Sequence, residues 1–301
     1  MPQVTIEYTV SGNHETREVD CSSKEIRLHL MQAESVNLSD ISRCTELTKF
    51  LLNNTHAEEI DFSPLSQCHE LESIHLDNNQ FRSIDLSFLE SCPKLRSLYL
   101  QNALLKTIDL TPLSTCDRLE VLTLHCDALQ SLDLSPLQNC RSLKHLYIFS
   151  DVMTKVNLNP LSVSIELESL TLMGSELQDF TLEFLSLCPK MKELAIINAP
   201  ITFLDLADLK TCRELERIWI QGTEIYEIDL TLLSQSSQTM RGIWLNGNEL
   251  KRVDISSLFS CPNLEIIELD EDTIPIAPHH LGGTSILSKG IQEILDRIEW
   301  Y

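Results

Sequence analysis

One interval governs this chain: the same apolar frame returns every 24 residues. The cysteines mark it most plainly, at Cys44, Cys68, Cys92, Cys116 and Cys140, and the series runs on through Ser164 to Cys188 and Cys212. After one inserted residue near Ser236-Ser237 it resumes at Cys261. Each cysteine closes the same pattern, as in Leu71-x-x-Ile74-x-Leu76-x-x-Asn79-x-Phe81-x-x-Ile84-Asp85-Leu86-x-x-Leu89-x-x-Cys92. The next copy repeats it at Leu95, Leu98, Leu100, Leu105, Ile108-Asp109-Leu110, Leu113 and Cys116. A unit this short cannot bury its own apolar side. Copies must therefore stack and share one continuous core.

Within each copy the L-x-L alternation has the period of two that a half-buried strand requires, and a second short alternation, I-D-L, follows it. Ser63-Pro64, Thr111-Pro112 and Ser135-Pro136 then read as a helix cap followed by a first helical residue, so a short helical turn is expected there. The cysteine ends that turn and points inward. Stacked copies would pair their strands in parallel about 4.8 Å apart.

The frame resembles the leucine-rich-repeat family, whose signature L-x-x-L-x-L-x-x-N-x-L it reproduces in the form LxxLxLxxNxLxxIDLSPLxxCxx. The resemblance covers residues 23–273, ten to eleven copies. It implies an α/β solenoid, a right-handed horseshoe with a concave parallel β-sheet and short helical or 3-10 segments on the convex side. One departure stands out. The family's asparagine position is Asn only at Asn79 and Asn248, and is Thr55, Ala103, Asp127, Asp151, Ser175, Ala199 and Thr223 elsewhere. Other groups must satisfy those loop backbones.

A solenoid needs covered ends. Residues 1–22 alternate through Val4, Ile6, Tyr8 and Val10, turn at Ser11-Gly12-Asn13 and run to Val19, which predicts an N-terminal capping hairpin. Residues 274–301 predict a C-terminal capping helix started by Thr284 or Ser285, with Leu287, Ile291, Ile294, Leu295 and Ile298 on one face and Trp300 near its end. The competing reading of that helix is a partner-binding tail. The three segments are expected to form one structural domain.

The formal net charge of −22 opposes nucleic-acid binding and an anionic membrane surface, since both need clustered Lys and Arg. A basic protein partner is permitted. No run approaches the roughly 18 to 20 apolar residues of a membrane-spanning helix, and the N-terminus lacks the basic and apolar regions of a signal peptide. A monomeric cytoplasmic protein with reduced thiols is the expectation. No G-x-G-x-x-G or G-x-x-x-x-G-K-[ST] loop supports a nucleotide, and no cofactor is expected. His279-His280 beside Asp270-Glu271-Asp272 lacks metal-ligand spacing and reads as a loop.

Three columns and one constellation carry the remaining chemistry. Eight of the ten cysteines share one repeat position, where serine also occurs, so they read as small buried hydrophobes. Their side chains point in parallel, which is poor disulfide geometry. The aspartates Asp61, Asp85, Asp109, Asp133, Asp205, Asp229 and Asp254, interrupted by Asn157 and Thr181, would repel one another at about 5 Å. They are expected to accept hydrogen bonds from the turn that follows them, with a cation ladder as the alternative. His125, Cys126, Asp127 and His145 lie close enough in sequence pattern for a Cys/His enzyme, but a repeat sheet offers no pocket for one, and no catalytic residue is assigned.

The open strand face is the informative column. The residue between the second and third leucines reads Arg27, Leu51, His75, Tyr99, Thr123, Tyr147, Thr171, Ala195, Trp219, Trp244 and Glu268. Neighbouring exposed columns add His125, His145, Phe149, Met173, Ile197, Arg217 and Arg241. Aromatic residues make up only 6% of the chain, yet two of its three tryptophans meet here. These types anchor interfaces, and sheet stabilisation by cross-strand stacking is the alternative. The expected function is a non-catalytic protein–protein interaction scaffold with its partner on the concave face. One patch comprises Tyr99, His125, Tyr147, Phe149 and Met173, with His75, His145 and Ile197 adjoining; the other comprises Trp219, Trp244, Arg217 and Arg241. The rival readings are an acidic-surface binder or inhibitor of a basic protein and, more remotely, the Cys/His enzyme.

Overall fold

Strands form where the L-x-L alternation puts leucine and isoleucine on the inner side and tolerant residues on the outer. Ile74, Leu76, Leu98 and Leu100 are fully buried while His75 and Tyr99 between them are half-buried. The computed structural model describes residues 3–283 and 287–301 and divides into two compact units, Met1–Val156 and Asn157–Tyr301.

The first unit begins with an antiparallel hairpin of β1 (Gln3–Val10) and β2 (Asn13–Asp20), turned at Ser11 and Gly12, both at positive φ. Next come β3 (Glu25–His29) and β4 (Ser35–Asn37). The strands β5 (Lys49–Asn53), β6 (Ser73–Asn79), β7 (Ser97–Asn102), β8 (Val121–His125) and β9 (His145–Phe149) follow. β3 and β5 to β9 pair in parallel, mostly residue n with residue n+24. The hairpin does not extend this sheet. β1 pairs instead with β4, on the I-D-L side of the first coil, and buries Val4 and Ile6.

The second unit repeats the plan with β10 (Ser169–Met173), β11 (Glu193–Ile197), β12 (Arg217–Gln221) and β13 (Gly242–Trp244). β14 (Arg252–Asp254), β15 (Ile266–Glu268), β16 (Ile274–Ala277) and β17 (Glu299–Trp300) complete it. β10 to β13 and β15 form its parallel ladder, and β14, β16 and β17 form a small sheet on the I-D-L side. The predicted cap residues Thr284 and Ser285 lie outside the described residues. The helix α1 is shorter than expected, Lys289–Ile294, followed by a 3-10 turn and β17. It packs on β15, the last strand of the parallel ladder: the Gly290 N–H donates to the Leu264 carbonyl just before that strand at 2.9 Å. Ile291, Ile294 and Ile298 are buried. A side chain on Gly290 would meet the backbone of Glu265 and Ile266 at 3.2–3.3 Å, so a larger residue would push the helix away by a few tenths of an ångström. No helix among the described residues is long and apolar enough to cross a membrane.

Several coils leave their strand through a tight turn with a left-handed residue, at Gln32, Asn54, Asn78, Asn198, Gly222 and Gly247. A 3-10 turn follows the I-D-L segment, and the expected Ser/Thr caps are corrected here. Ser63, Thr111 and Ser135 are the first turn residues, and the preceding aspartate does the capping. Asp61, Asp85, Asp109, Asp133, Asp205, Asp229 and Asp254 each accept the N–H two residues on at 2.8–2.9 Å. An aspartate two residues back reaches an orphan N–H that a hydroxyl on the turn's own first residue cannot. Hydrogen bonds from Ser63 and Thr111 hold Asp61 and Asp109 below the ordinary carboxylate range.

The cysteine column packs as expected, with one correction. Cys68, Cys116, Cys140 and Cys212 aim their thiols at the carbonyls of Ile41, Leu89, Leu113 and Leu185 in the preceding coil, at 3.5–3.8 Å. Cys92, Cys188 and Cys261 turn to the carbonyl four residues back. Cys44 is instead disulfide-bonded to Cys21, with Cα atoms 4.6 Å apart, so the expectation of wholly reduced thiols fails there. Cys21 follows the hairpin rather than standing in the column, and its side chain converges on Cys44 instead of running parallel to it. Burial pushes the remaining thiols up to about 11 at Cys68, Cys116, Cys212 and Cys261, and to about 12 at Cys92, Cys126, Cys140 and Cys188. With so little thiolate these groups are inert. A thiol-disulfide exchange reagent at neutral pH should therefore label none of the eight free cysteines of the native protein within minutes, eight after unfolding, and all ten after reduction. Rapid native labelling would contradict the burial.

Candidate functional site

In-register parallel pairing sets each outward side chain beside its equivalent in the next coil. Strands lie about 4.8 Å apart, close to the spacing at which aromatic rings stack. In the first unit His75 and Tyr99 stack with centroids 4.3 Å apart and planes 12° from parallel. The His75 ring nitrogen Nε2 lies 3.0 Å from the Ser73 hydroxyl, which fixes the ring. Thr123 then interrupts the row before Tyr147. One column along, His125 lies 5.0 Å from Phe149, with its Nε2 3.1 Å from the Asp127 carboxylate. His145 lies parallel to Tyr147 at 6.4 Å and keeps Nδ1 buried without a partner. Burial, with Tyr147 and Asp77 adding to it, raises the Tyr99 phenol above its ordinary value.

The second unit brings Trp219 and Trp244 together as the sequence predicted. Their rings stack at 4.7 Å and 13°. The Trp244 indole lies flat over Gly242, where a Cβ would fall 2.3 Å from the ring, so glycine makes the slot that the ring occupies. Both tryptophans are half-buried. Arg217 and Arg241 flank them, but neither is a free cation. Arg217 donates to Glu193 at 2.8 Å and lies 3.8 Å from Glu216. Arg241 lies 3.4 Å from both Glu216 and Glu265. The arginines thus belong to a Glu–Arg ladder that frames the rings. Met173 and Ile197 pair in register one column away, both half-buried.

The Cys/His constellation does not assemble. Strand alternation sends Cys126 inward, fully buried, while His125 faces outward. His279 and His280 sit in a 3-10 turn, and no group of three His, Cys, Asp or Glu side chains placed to share a metal occurs among the described residues.

Sequence reasoning overlooked Phe203 and Tyr226, which are 61% and 59% exposed. A signal was present. The column of Phe203 is otherwise Glu59, Ser83, Thr107, Ser131, Lys155, Asp179 and Glu227, and that of Tyr226 holds Gln178 and Thr202. An aromatic ring in a polar column that faces water has no packing reason to be there.

Residues 34–159, less than half the chain, match the family described as BspA type leucine-rich repeat region, in six copies. The extracellular part of the Arabidopsis receptor kinase HAESA, solved with the peptide hormone IDA and the co-receptor SERK1, superposes with a TM-score of 0.69 at 20% identity over 86% of this chain and 44% of that one. The chain has the leucine-rich-repeat fold. An internalin, InlF of Listeria monocytogenes, aligns with this leucine-rich-repeat chain at 19% identity, over 94% of it and 89% of the internalin, with a TM-score of 0.56. The functional domain of InlJ from the same organism, described as including a cysteine ladder, aligns at 18% identity over 84% of this chain and 59% of that one, with a TM-score of 0.51. No curated protein matches the sequence. Likeness at these identities establishes the fold.

Proposed function

We propose that this leucine-rich-repeat protein is a non-catalytic docking scaffold whose protein partner seats on the strand face, with Trp219 and Trp244 as the principal anchor. The observation that carries the reading is the stacked, half-buried indole pair, held flat by Gly242 and framed by a Glu–Arg ladder. Rigid aromatic side chains lose little freedom on binding, and tryptophan is prominent among the residues that dominate interface energies. The HAESA complex, in which a leucine-rich-repeat chain carries a peptide hormone and a co-receptor, supports docking as a use of this fold. The aromatic rows of the first unit supply a second contact area on the same kind of face.

Affinity capture from native lysate, comparing the wild-type chain with a Trp219→Ala/Trp244→Ala double variant of matched circular dichroism, tests this. The expected result is one or more proteins retained by the wild type and weakened roughly 30-fold or more by the variant, as loss of a central anchor of about 2 kcal/mol requires. Retention should persist in about 0.5 M salt, because aromatic burial is little screened. Equal capture by both forms would make the tryptophans purely structural.

A further inference from the structure

The residues that sequence reasoning overlooked lead to a different surface. On the I-D-L side of the second unit, two adjoining hollows of about 420 Å³ and 170 Å³ share Phe203, Leu204 and Asp205. The larger has apolar walls from Phe203, Ala207 and Leu232 and a rim of Asp205, Glu227 and Asp229. The smaller runs from Phe203 to Phe180, with Glu183, Asp205 and Asp208 around it. No lysine or arginine lines either hollow. Asp205 and Asp229 spend one carboxylate oxygen on the turn that follows them. Among the described residues, none of these five carboxylates is in an ion pair. This differs from the strand face, where Glu193, Glu216 and Glu265 are neutralised by arginine.

The hollows lie beside turns without proline. The turns at Ser63, Thr111, Ser135 and Asn159 carry proline as their second residue and those at Ser39, Ser87, Glu183, Ala207, Thr231 and Ser256 do not. After Ala207 and Thr231 stand Asp208 and Leu232, each of which lines one of the hollows. Ala207 replaces the usual serine or threonine with a side chain too short to fill the space beside Phe203. What remains is an exposed ring standing between two acid-rimmed depressions about one coil apart, or about 5 Å.

We propose that this groove is a second docking surface, independent of the strand face, and that its occupant is a basic segment of a partner protein carrying arginine or lysine side chains. Such side chains have apolar stems and cationic heads. The stems would lie along Phe203 and Leu232 while the heads meet the carboxylate rim. A guanidinium over the Phe203 ring adds a cation–π contact. An acidic or neutral segment would leave the five carboxylates unpaired beside one another, which charge complementarity disfavours.

The test uses the full chain and a fluorescein-labelled peptide of alternating Arg-Leu-Lys-Ser blocks, with a counterpart in which glutamate replaces every basic residue. Fluorescence anisotropy in about 0.15 M salt reads the affinity. The basic peptide is expected to bind and the acidic one not. A Phe203→Ser/Glu227→Gln variant should lose roughly tenfold in affinity. Both sites are exposed, so the core is untouched. The Trp219→Ala/Trp244→Ala variant should stay within about twofold of wild type, because those residues lie on the other face. Undiminished binding by the groove variant, absence of binding by the wild type, or equal binding of both peptides would each overturn the proposal. None of these outcomes bears on partner capture through the tryptophans, so the two readings fail separately.

Discussion

Replacement of Phe81 by alanine should destabilise the first unit by about 3–5 kcal/mol, the range for emptying a packed aromatic site. Phe81 is fully buried and meets Phe62 edge-on at 5.7 Å; Phe62 in turn stacks on Phe88 at 5.9 Å. These rings come from consecutive coils, so one cavity loosens the interface between neighbouring repeats as well as one repeat. In a solenoid that interface holds much of the stability. For a unit of 156 residues (Met1–Val156) the shift in thermal midpoint should be on the order of 10 °C. Leu104→Ala, at a site 40% exposed, should cost under about 0.5 kcal/mol and serves as the control. Differential scanning calorimetry reads both. A Phe81→Ala midpoint within a degree or two of wild type would show that the coils do not depend on this cluster.

Asn79→Ala should cost about 2–4 kcal/mol, far more than an average polar substitution, because it strands three buried groups at once. The Asn79 Oδ1 accepts the Thr55 N–H at 3.1 Å and the Thr55 hydroxyl at 2.8 Å. Its Nδ2 donates to the Leu52 carbonyl at 2.9 Å. Asn79 and Thr55 are both buried, so water does not replace the lost bonds. Amide exchange adds a local reading: the Thr55 N–H should lose protection in the variant while the amides of β8 and β9 keep theirs. Retained protection at Thr55 would contradict this account. Asn248 repeats the arrangement with Thr223 at 2.9 and 2.7 Å, but it is half-exposed, and Asn248→Ala should cost less.

These two asparagines answer the question raised by the broken asparagine column. Each surviving Asn bonds the threonine that holds its own position in the coil before, so the ladder is built of Thr–Asn pairs. Elsewhere Ser150 and Thr273 send their hydroxyls to the carbonyls of Leu129 and Leu250, at 2.8 and 2.7 Å. Substitutes of this kind were not legible from single positions. They depend on which neighbour faces them 21 to 25 residues away. The aspartate column was legible, since an Asp accepts from the N–H two residues on within the same turn. That bond is local and needs no knowledge of the stack.

The aromatic site divides along the same line. Strand alternation and the repeat spacing alone put Trp219 beside Trp244 and His75 beside Tyr99, because in-register parallel pairing brings residue n to residue n+24 or, across the insertion, n+25. The pairing of Arg217 with Glu193 and of Arg241 with Glu216 and Glu265 follows this same register, n with n+24 or n+25, and was overlooked because the arginines were weighed as anchors without the residues opposite them. Phe203 and Tyr226 escaped notice because they stand outside the strand face on which interface residues were sought.

The sequence by itself determined the repeat, the coil plan, the inward leucine and cysteine columns and the outward strand face. Each follows from the period of 24 and the alternation within it, which are properties of the chain that stacking only expresses. Tertiary structure alone decided three things: the side of the first coil on which the hairpin lies, the bonding of Cys21 to Cys44, and the acid-rimmed groove beside Phe203. All three arise outside the repeat or where one of its columns changes residue type. There the outcome is set by distances between residues that periodicity does not relate.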